Sequence, residues 1–160
     1  LSKTFSITGW RLGYVVAPPE LAERLKLAHD LFYICAPPPL QHGVAAGFAL
    51  GDDIFEDMRA DYAKKRELVC GTLSDVGLAP IVPEGAYYVL ADIARVGAAS
   101  AKEAALRLID DAGVACVPGT AFFSGDGAED GEGLARFCYA KEIDVLEEAC
   151  ARLRRWAAGH

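Results

Sequence analysis

The sequence predicts helices packed on a small, largely antiparallel sheet, an α+β arrangement within the broad α/β class. Two observations carry this. The apolar period is helical up to Gly77 and becomes extended after it. Beyond that point, short β-branched runs bounded by Pro and Gly alternate with further helical stripes, so the chain reads strand, helices, strands, helix, strand, strand, helix.

Trp10 to Ala17 has the aromatic and β-branched content of a buried strand, stopped by Pro18-Pro19. Pro19 suits a first helical position and Glu20 the positive end of a helix dipole, while Leu21, Leu25, Ala28 and Phe32 recur at helical spacing. Pro37-Pro38-Pro39 breaks that helix and marks the boundary between a docking segment and a compact domain. Pro39 opens a second, small-residue helix through about Leu50. Asp52 or Asp53 caps a third, with a stripe of Ile54, Met58, Tyr62, Val69, Leu73 and Val76 ending at Gly77, and with Lys64-Lys65-Arg66 read as its solvated side. Strands follow at Ile81-Val82 and from Ala86 to about Ala91. Ser100 and Glu103 form a capping box that starts a helix closed by Gly113. Val114 to Val117 and Leu134 to Ala140 read as strands, and Ile143, Leu146, Cys150 and Leu153 as the stripe of a last helix. The acidic, glycine-rich stretch 124–133 reads as a mobile surface loop, because Asp126, Asp130 and Glu132 do not fall at EF-hand spacing.

Composition narrows the function classes. The 160 residues are 52% hydrophobic and 24% charged, as in an ordinary soluble domain with a good core. A net charge of -7 and a pI near 4.9 argue against a nucleic-acid partner, which would require a basic face. No apolar run approaches the ~18 residues of a membrane span, and the N-terminus lacks the order of a signal peptide. The five cysteines are scattered, with no Cys-x-x-Cys pair and no histidine at ligand spacing, so they read as reduced residues of a cytoplasmic protein and no metal site is expected.

The chemistry concentrates in the first thirteen residues, where Lys3 and Arg11 stand in a small, apolar context. A lysine amine in a desolvated pocket loses its proton readily enough to condense with an aldehyde, and Ser2, Thr4, Phe5, Ser6 and Ile7 carry no competing charge. The planar fork of Arg11 suits a phosphate or carboxylate, and Gly9 and Gly13 let the backbone approach a ligand. An aldehyde cofactor with a phosphate handle is pyridoxal 5'-phosphate. The competing reading is two solvated surface charges. Arg136 lies inside an apolar strand, so it either pairs with a structural acid or faces a ligand site. Tyr87 and Tyr88 alternate across a strand, one toward the core and one toward the ligand side; the residues leave open which, and Tyr87 is the substrate-binding candidate.

Ser2-Lys3-x-x-Ser6-Ile7-Thr8-Gly9-Trp10-Arg11-Leu12-Gly13 resembles the lysine-attachment motif of class I and II aminotransferases, the fold-type I pyridoxal phosphate enzymes. Gln41-His42-Gly43-Val44-Ala45-Ala46, Pro83-Glu84-Gly85-Ala86-Tyr87-Tyr88, Val117-Pro118-Gly119-Thr120-x-Phe122 and Gly131-Glu132-Gly133-Leu134-Ala135-Arg136-Phe137 follow in the order such enzymes show. The resemblance implies an amino-group transfer from an amino acid to a 2-oxo acid. It makes Lys3 the covalent cofactor lysine of the complete enzyme and catalytic base, Arg11 a cofactor contact, and Arg136 the clamp on the substrate α-carboxylate. It further implies a homodimer, with 1–36 as the end of a cofactor-binding large domain and its sheet, and 37–160 as a C-terminal small domain. Family elements that bind the cofactor's phosphate and ring ordinarily precede the lysine, so the expectation is a C-terminal portion that is inactive alone. A C–S lyase on the same scaffold and a non-catalytic module of the same fold are the alternatives.

Overall fold

The structure is a computed structural model that describes residues 1–159, apart from the side chains of Asp126 and Ala128. Its contacts divide the chain into two compact units, Leu1–Met58 and Arg59–His160.

In the first unit a turn over residues 1–6 leads into a single 3-10 turn, Thr8–Trp10. Helix α1 (Pro19–Phe32) and helix α2 (Pro38–Phe48) both start on proline, whose missing N–H costs nothing at a helix N-terminus. Gln41 Nε2 donates to the Ala36 carbonyl at 2.7 Å and ties the proline run to α2. The expected strand at Trp10–Ala17 does not form. Trp10 ends the 3-10 turn, Arg11 is left-handed, and the chain from Leu12 to Ala17 takes no regular structure, with Tyr14, Val15 and Val16 exposed and only Leu12 buried. A strand's backbone groups are satisfied by a neighbouring strand, and the described residues of this unit contain none. Helix α1 likewise buries no residue, and its stripe of Leu21, Leu25 and Phe32 is exposed.

Helix α3 (Asp53–Asp75) begins in the first unit and runs on into the second, where Val69, Cys70, Thr72 and Leu73 are buried. It ends as expected at Gly77, whose φ of +74° allows Leu78 N–H to reach back to the Leu73 carbonyl at 2.9 Å. Helix α4 (Ala101–Ala112) starts on Ser100, whose hydroxyl accepts from the Glu103 N–H, and stops at Gly113, φ +66°. The carboxylate of Glu132 accepts from the Ala101 N–H at 2.9 Å, so this acid of the 124–133 stretch is a second cap for α4. That stretch is wound, with a 3-10 helix over Gly125–Gly131; the Asp126 side chain lies outside the described residues. No group of His, Cys, Asp or Glu able to hold a metal occurs among the described residues. No described helix is long and apolar enough to cross a membrane.

Strands β1 (Pro80–Ile81), β2 (Tyr88–Asp92), β3 (Val117–Pro118) and β4 (Leu134–Cys138) form one antiparallel sheet in the order β1-β2-β4-β3. β3 is shorter than the expected Val114–Val117 run and ends on Pro118, which has no N–H to continue a ladder. One face presents Val89, Ala91, Ala135 and Phe137 to a core completed by Leu73, Leu108, Leu146, Leu153 and Trp156 from α3, α4 and the last helix, α5 (Ile143–Gly159). Leu73, Leu78 and Leu108 are fully buried, each worth ~1.5–3 kcal/mol relative to exposure. The opposite parity, Ile81, Tyr88, Leu90, Arg136 and Cys138, lies on the other face, with Leu90 directly across from both Ile81 and Arg136.

Candidate active site

The opening loop of the first unit is anchored by aromatic side chains on a groove of small residues. Trp10 lies against Gly43 and Phe5 against Gly47, one helical turn further along α2. A Cβ at either glycine would come within 3.0 Å of the ring above it, so the small-residue helix is what lets the loop sit down. Phe5 also meets Phe48 edge-on at 5.2 Å and Phe55 at 6.0 Å.

Hydrogen bonds then link the two ends of the loop. The Thr8 hydroxyl donates to the Ser2 carbonyl at 3.1 Å, and Arg11 Nη1 donates to the Thr8 carbonyl at 3.1 Å. Ser6 and Arg11 both have φ of +56°, the left-handed region that costs a non-glycine residue ~1 kcal/mol or more. Lys3 is exposed, and its amine takes part in no ion pair or hydrogen bond among the described residues. The desolvation expected from Ser2, Thr4, Phe5, Ser6 and Ile7 is therefore not supplied by those neighbours, because the loop spends its apolar side chains on α2 rather than on Lys3. What the loop holds ready is a primary amine and, through Thr8, a guanidinium with donors to spare. That donor set fits an aldehyde carrying a phosphate.

In the second unit, Arg136 is brought together with two rings. Its guanidinium carbon lies 3.8 Å from the centre of the Tyr88 ring and 4.1 Å from that of Phe122, well inside cation–π range. Tyr88 comes from β2. Phe122 comes from the turn after β3, and a close backbone contact places it there: a Cβ on Gly119 would stand 2.5 Å from the Gly131 carbonyl oxygen. Ile81, Pro83 and Leu90 complete an open cavity of about 300 Å³ in which Arg136 is the one charged lining residue among the described residues. Arg136 Nε is buried with no acceptor, and no described carboxylate pairs with the guanidinium. A buried donor without an acceptor is costly, and the orphaned Nε–H sets half-buried Arg136 apart from a structural ion pair.

Tyr88 lies opposite Cys138 on the Arg136 face, and Tyr87, which precedes the strand and packs at the edge of the core, keeps its ring 4.2 Å from that of Tyr88. Interaction with the Tyr87 hydroxyl, followed by desolvation, holds the Tyr88 phenol above its ordinary range. Phe122 and Arg66 are the residues that sequence reasoning passed over. Phe122 stands in the Val117-to-Phe122 motif, and Arg66 falls four residues after Tyr62 and three before Val69, on the inward stripe of α3 rather than its solvated side.

Residues 1–153 match the family model for aminotransferase class I and II. The chain is 35% identical over 155 residues to a putative aminotransferase, YugH, of Bacillus subtilis, and 37% identical over 158 residues to an aspartate aminotransferase of Pyrococcus abyssi. These matches cover 97% and 96% of the chain but 39% of each relative, so the chain spans about two fifths of the length of the curated relatives it matches. Among solved structures it resembles an aromatic aminotransferase from Pyrococcus horikoshii, with a TM-score of 0.83 at 34% identity over 98% of this chain and 41% of that one. It also resembles N-succinyldiaminopimelate aminotransferase from Mycobacterium tuberculosis, with a TM-score of 0.86 at 28% identity over 97% and 40%.

Proposed function

The chain belongs to the aminotransferase class I and II family, and from that premise we propose that it serves the transfer of an amino group from an amino acid to a 2-oxo acid with pyridoxal phosphate, in an enzyme that supplies the family length this chain does not span. The observation that carries the reading is Arg136, buried at Nε without an acceptor and held between two rings.

Pyridoxal phosphate, when bound, supplies the electron sink for charge developing at the substrate α-carbon. The chain's own residues supply the rest. Lys3 Nζ would be the covalent attachment point for the aldehyde and the base for the α-proton, and Arg11 would hold the cofactor's phosphate. Arg136 binds the substrate α-carboxylate through paired N–H donors, a geometry its stacked, planar guanidinium fixes in advance. Tyr88 and Phe122 hold that plane, and Tyr87 acts on the site through the Tyr88 hydroxyl. The family's habit of two-fold assembly supports a homodimer, and a cytoplasmic setting is part of the same reading.

The exposure of Lys3 supports a further expectation, that the 160-residue chain alone does not retain pyridoxal phosphate tightly. A near-visible absorbance band on the purified chain that survives gel filtration and is lost in Lys3→Ala would overturn it. In the family-length enzyme, Arg136→Ala is expected to raise KM for amino acids by about 100-fold, the cost of unpairing a charge-assisted carboxylate contact, with cofactor retention unchanged. Equal loss of both would count against the clamp.

A further inference from the structure

The wall that faces Arg136 is held by a residue outside the site. The segment 83–88 joins β1 to β2 and supplies Pro83 and Tyr88 to the Arg136 cavity. It lies outside the assigned helices and strands before Tyr88, and Ala86 within it adopts φ of +67°, a conformation that a non-glycine residue keeps only when its surroundings impose it. Two residues hold the segment by hydrogen bonds. Arg66 Nη1, reaching across from α3, donates to the carbonyls of Pro83 at 3.1 Å and Glu84 at 3.4 Å. The buried Tyr139 hydroxyl donates to the Ala86 carbonyl at 3.2 Å, and the Tyr139 N–H to the Tyr87 carbonyl at 3.0 Å.

We propose that Arg66 is a positioning residue for the Arg136 site: by gathering the Pro83 and Glu84 carbonyls it fixes the 83–88 segment, and through it the Tyr88 ring that stacks on the Arg136 guanidinium. The inference rests on the reading of Arg136 as a carboxylate clamp, but its geometric half stands without it. A guanidinium suits the task because the two hydrogens of a single Nη1, held in the plane of the group, serve the two carbonyls, while an ammonium is a point donor on a flexible stem. Arg66 touches neither the cavity nor Arg136; it acts through Pro83 and Glu84.

The test uses the 160-residue chain labelled with 15N. The Arg136 Nε–H signal, identified by its loss in Arg136→Lys, is shifted upfield by the two rings and reports the stack directly; propionate, as a simple monocarboxylate, is titrated against it. Arg66→Ala is expected to melt cooperatively while the Nε–H signal loses much of its ring shift and propionate binds about tenfold more weakly, the loss of one charge-assisted hydrogen-bond set. Arg66→Lys is expected to fall between wild type and Arg66→Ala. Should Arg66→Ala fail to fold, Tyr139→Phe removes the hydroxyl bond to Ala86 alone and is expected to move the signal the same way. Leu108→Ala, which cuts the core away from the segment, lowers the melting temperature and leaves the signal in place. An unchanged Nε–H signal in Arg66→Ala or Tyr139→Phe, or an equal change in Leu108→Ala, would overturn the proposal. Wild-type chain that shows the ring shift and its dependence on Arg66 but does not respond to propionate would instead sink the clamp reading and leave the positioning role intact.

Discussion

Arg136 and Cys116 show how much a single residue's surroundings decide. Half-buried Arg136 does without a described carboxylate because a guanidinium is weakly hydrated and finds two ring faces, each worth ~0.5–2 kcal/mol, which offset part of the desolvation at Nε. Cys116 shows the opposite response, since burial with no stabilising partner pushes its thiol up to about 11 from an ordinary 9.0. Two consequences follow from that direction. A group whose value is raised by folding contributes stability below its unfolded value and loses it as the pH climbs through the folded one, so the melting temperature is expected to fall between pH 9.0 and about 11, less steeply in Cys116→Ala. At neutral to mildly alkaline pH, where the thiolate is the reactive form, the exposed Cys35 and Cys138 are expected to react with iodoacetamide at least about tenfold faster than Cys116. Peptide mass spectrometry after a short pulse on the folded chain measures this, and equal labelling of all three would refute the burial argument.

At the scale of elements, the Phe122 plate depends on two glycines with no room for a side chain. A Cβ on Gly119 would stand 2.5 Å from the Gly131 oxygen and 2.8 Å from that of Leu134, and one on Gly131 would stand 2.7 Å from the Thr120 nitrogen. These are backbone atoms that cannot swing aside, so Gly119→Ala is expected to cost ~1–3 kcal/mol in urea denaturation, as overpacking does, and to weaken the Arg136 stack as well. A cost below about 0.5 kcal/mol, the size of an ordinary surface change, would mean the turn opens freely. Such an approach is a pairing of distant backbones, which the two glycines in sequence do not announce. The elements that were legible are those written in local chemistry: Ser100 with Glu103 at the start of α4, Gly77 and Gly113 at helix ends, and the prolines opening α1 and α2. The strand expected at Trp10–Ala17 failed for the complementary reason, since β content states a preference and pairing needs a partner. Arg66 was misread because charge was weighed ahead of phase; its place on the Tyr62, Val69, Leu73 stripe was visible, but only the strap at 83–84 gives a buried-facing guanidinium its acceptors. For the candidate site, Lys3, Arg11 and Arg136 stand out in sequence as charges in apolar settings, whereas the placement of Tyr88 beside Arg136 needed the β2–β4 register.

Across the whole molecule, stability is distributed unevenly between the units. Residues 1–58 bury only Leu12 and Val44 among their large apolar side chains, and α1 buries none of its 14 residues. A helix near the ~12–15-residue length at which isolated helices are marginal in water draws most of its stability from a packed face, and α1 shows none here. The unit of residues 59–160 instead has a continuous core from Val69 to Trp156, with Leu73, Leu78, Ala91, Leu108 and Ala135 fully buried. Local opening free energies track buried apolar contact, so native-state hydrogen exchange is expected to separate the units: amides of α1 exchange early, while β2, β4 and the middle of α4 approach the protection of global unfolding. Limited proteolysis of the chain should accordingly cut first within residues 11–37. In the family-length enzyme the same α1 amides are expected to become at least about tenfold slower, because Leu27, Leu31, Phe32 and Ile34 form an exposed apolar run of the kind that marks an interaction surface. If α1 in the isolated chain is already as protected as β4, then its helix is held by something other than buried apolar area, and this account of the first unit fails.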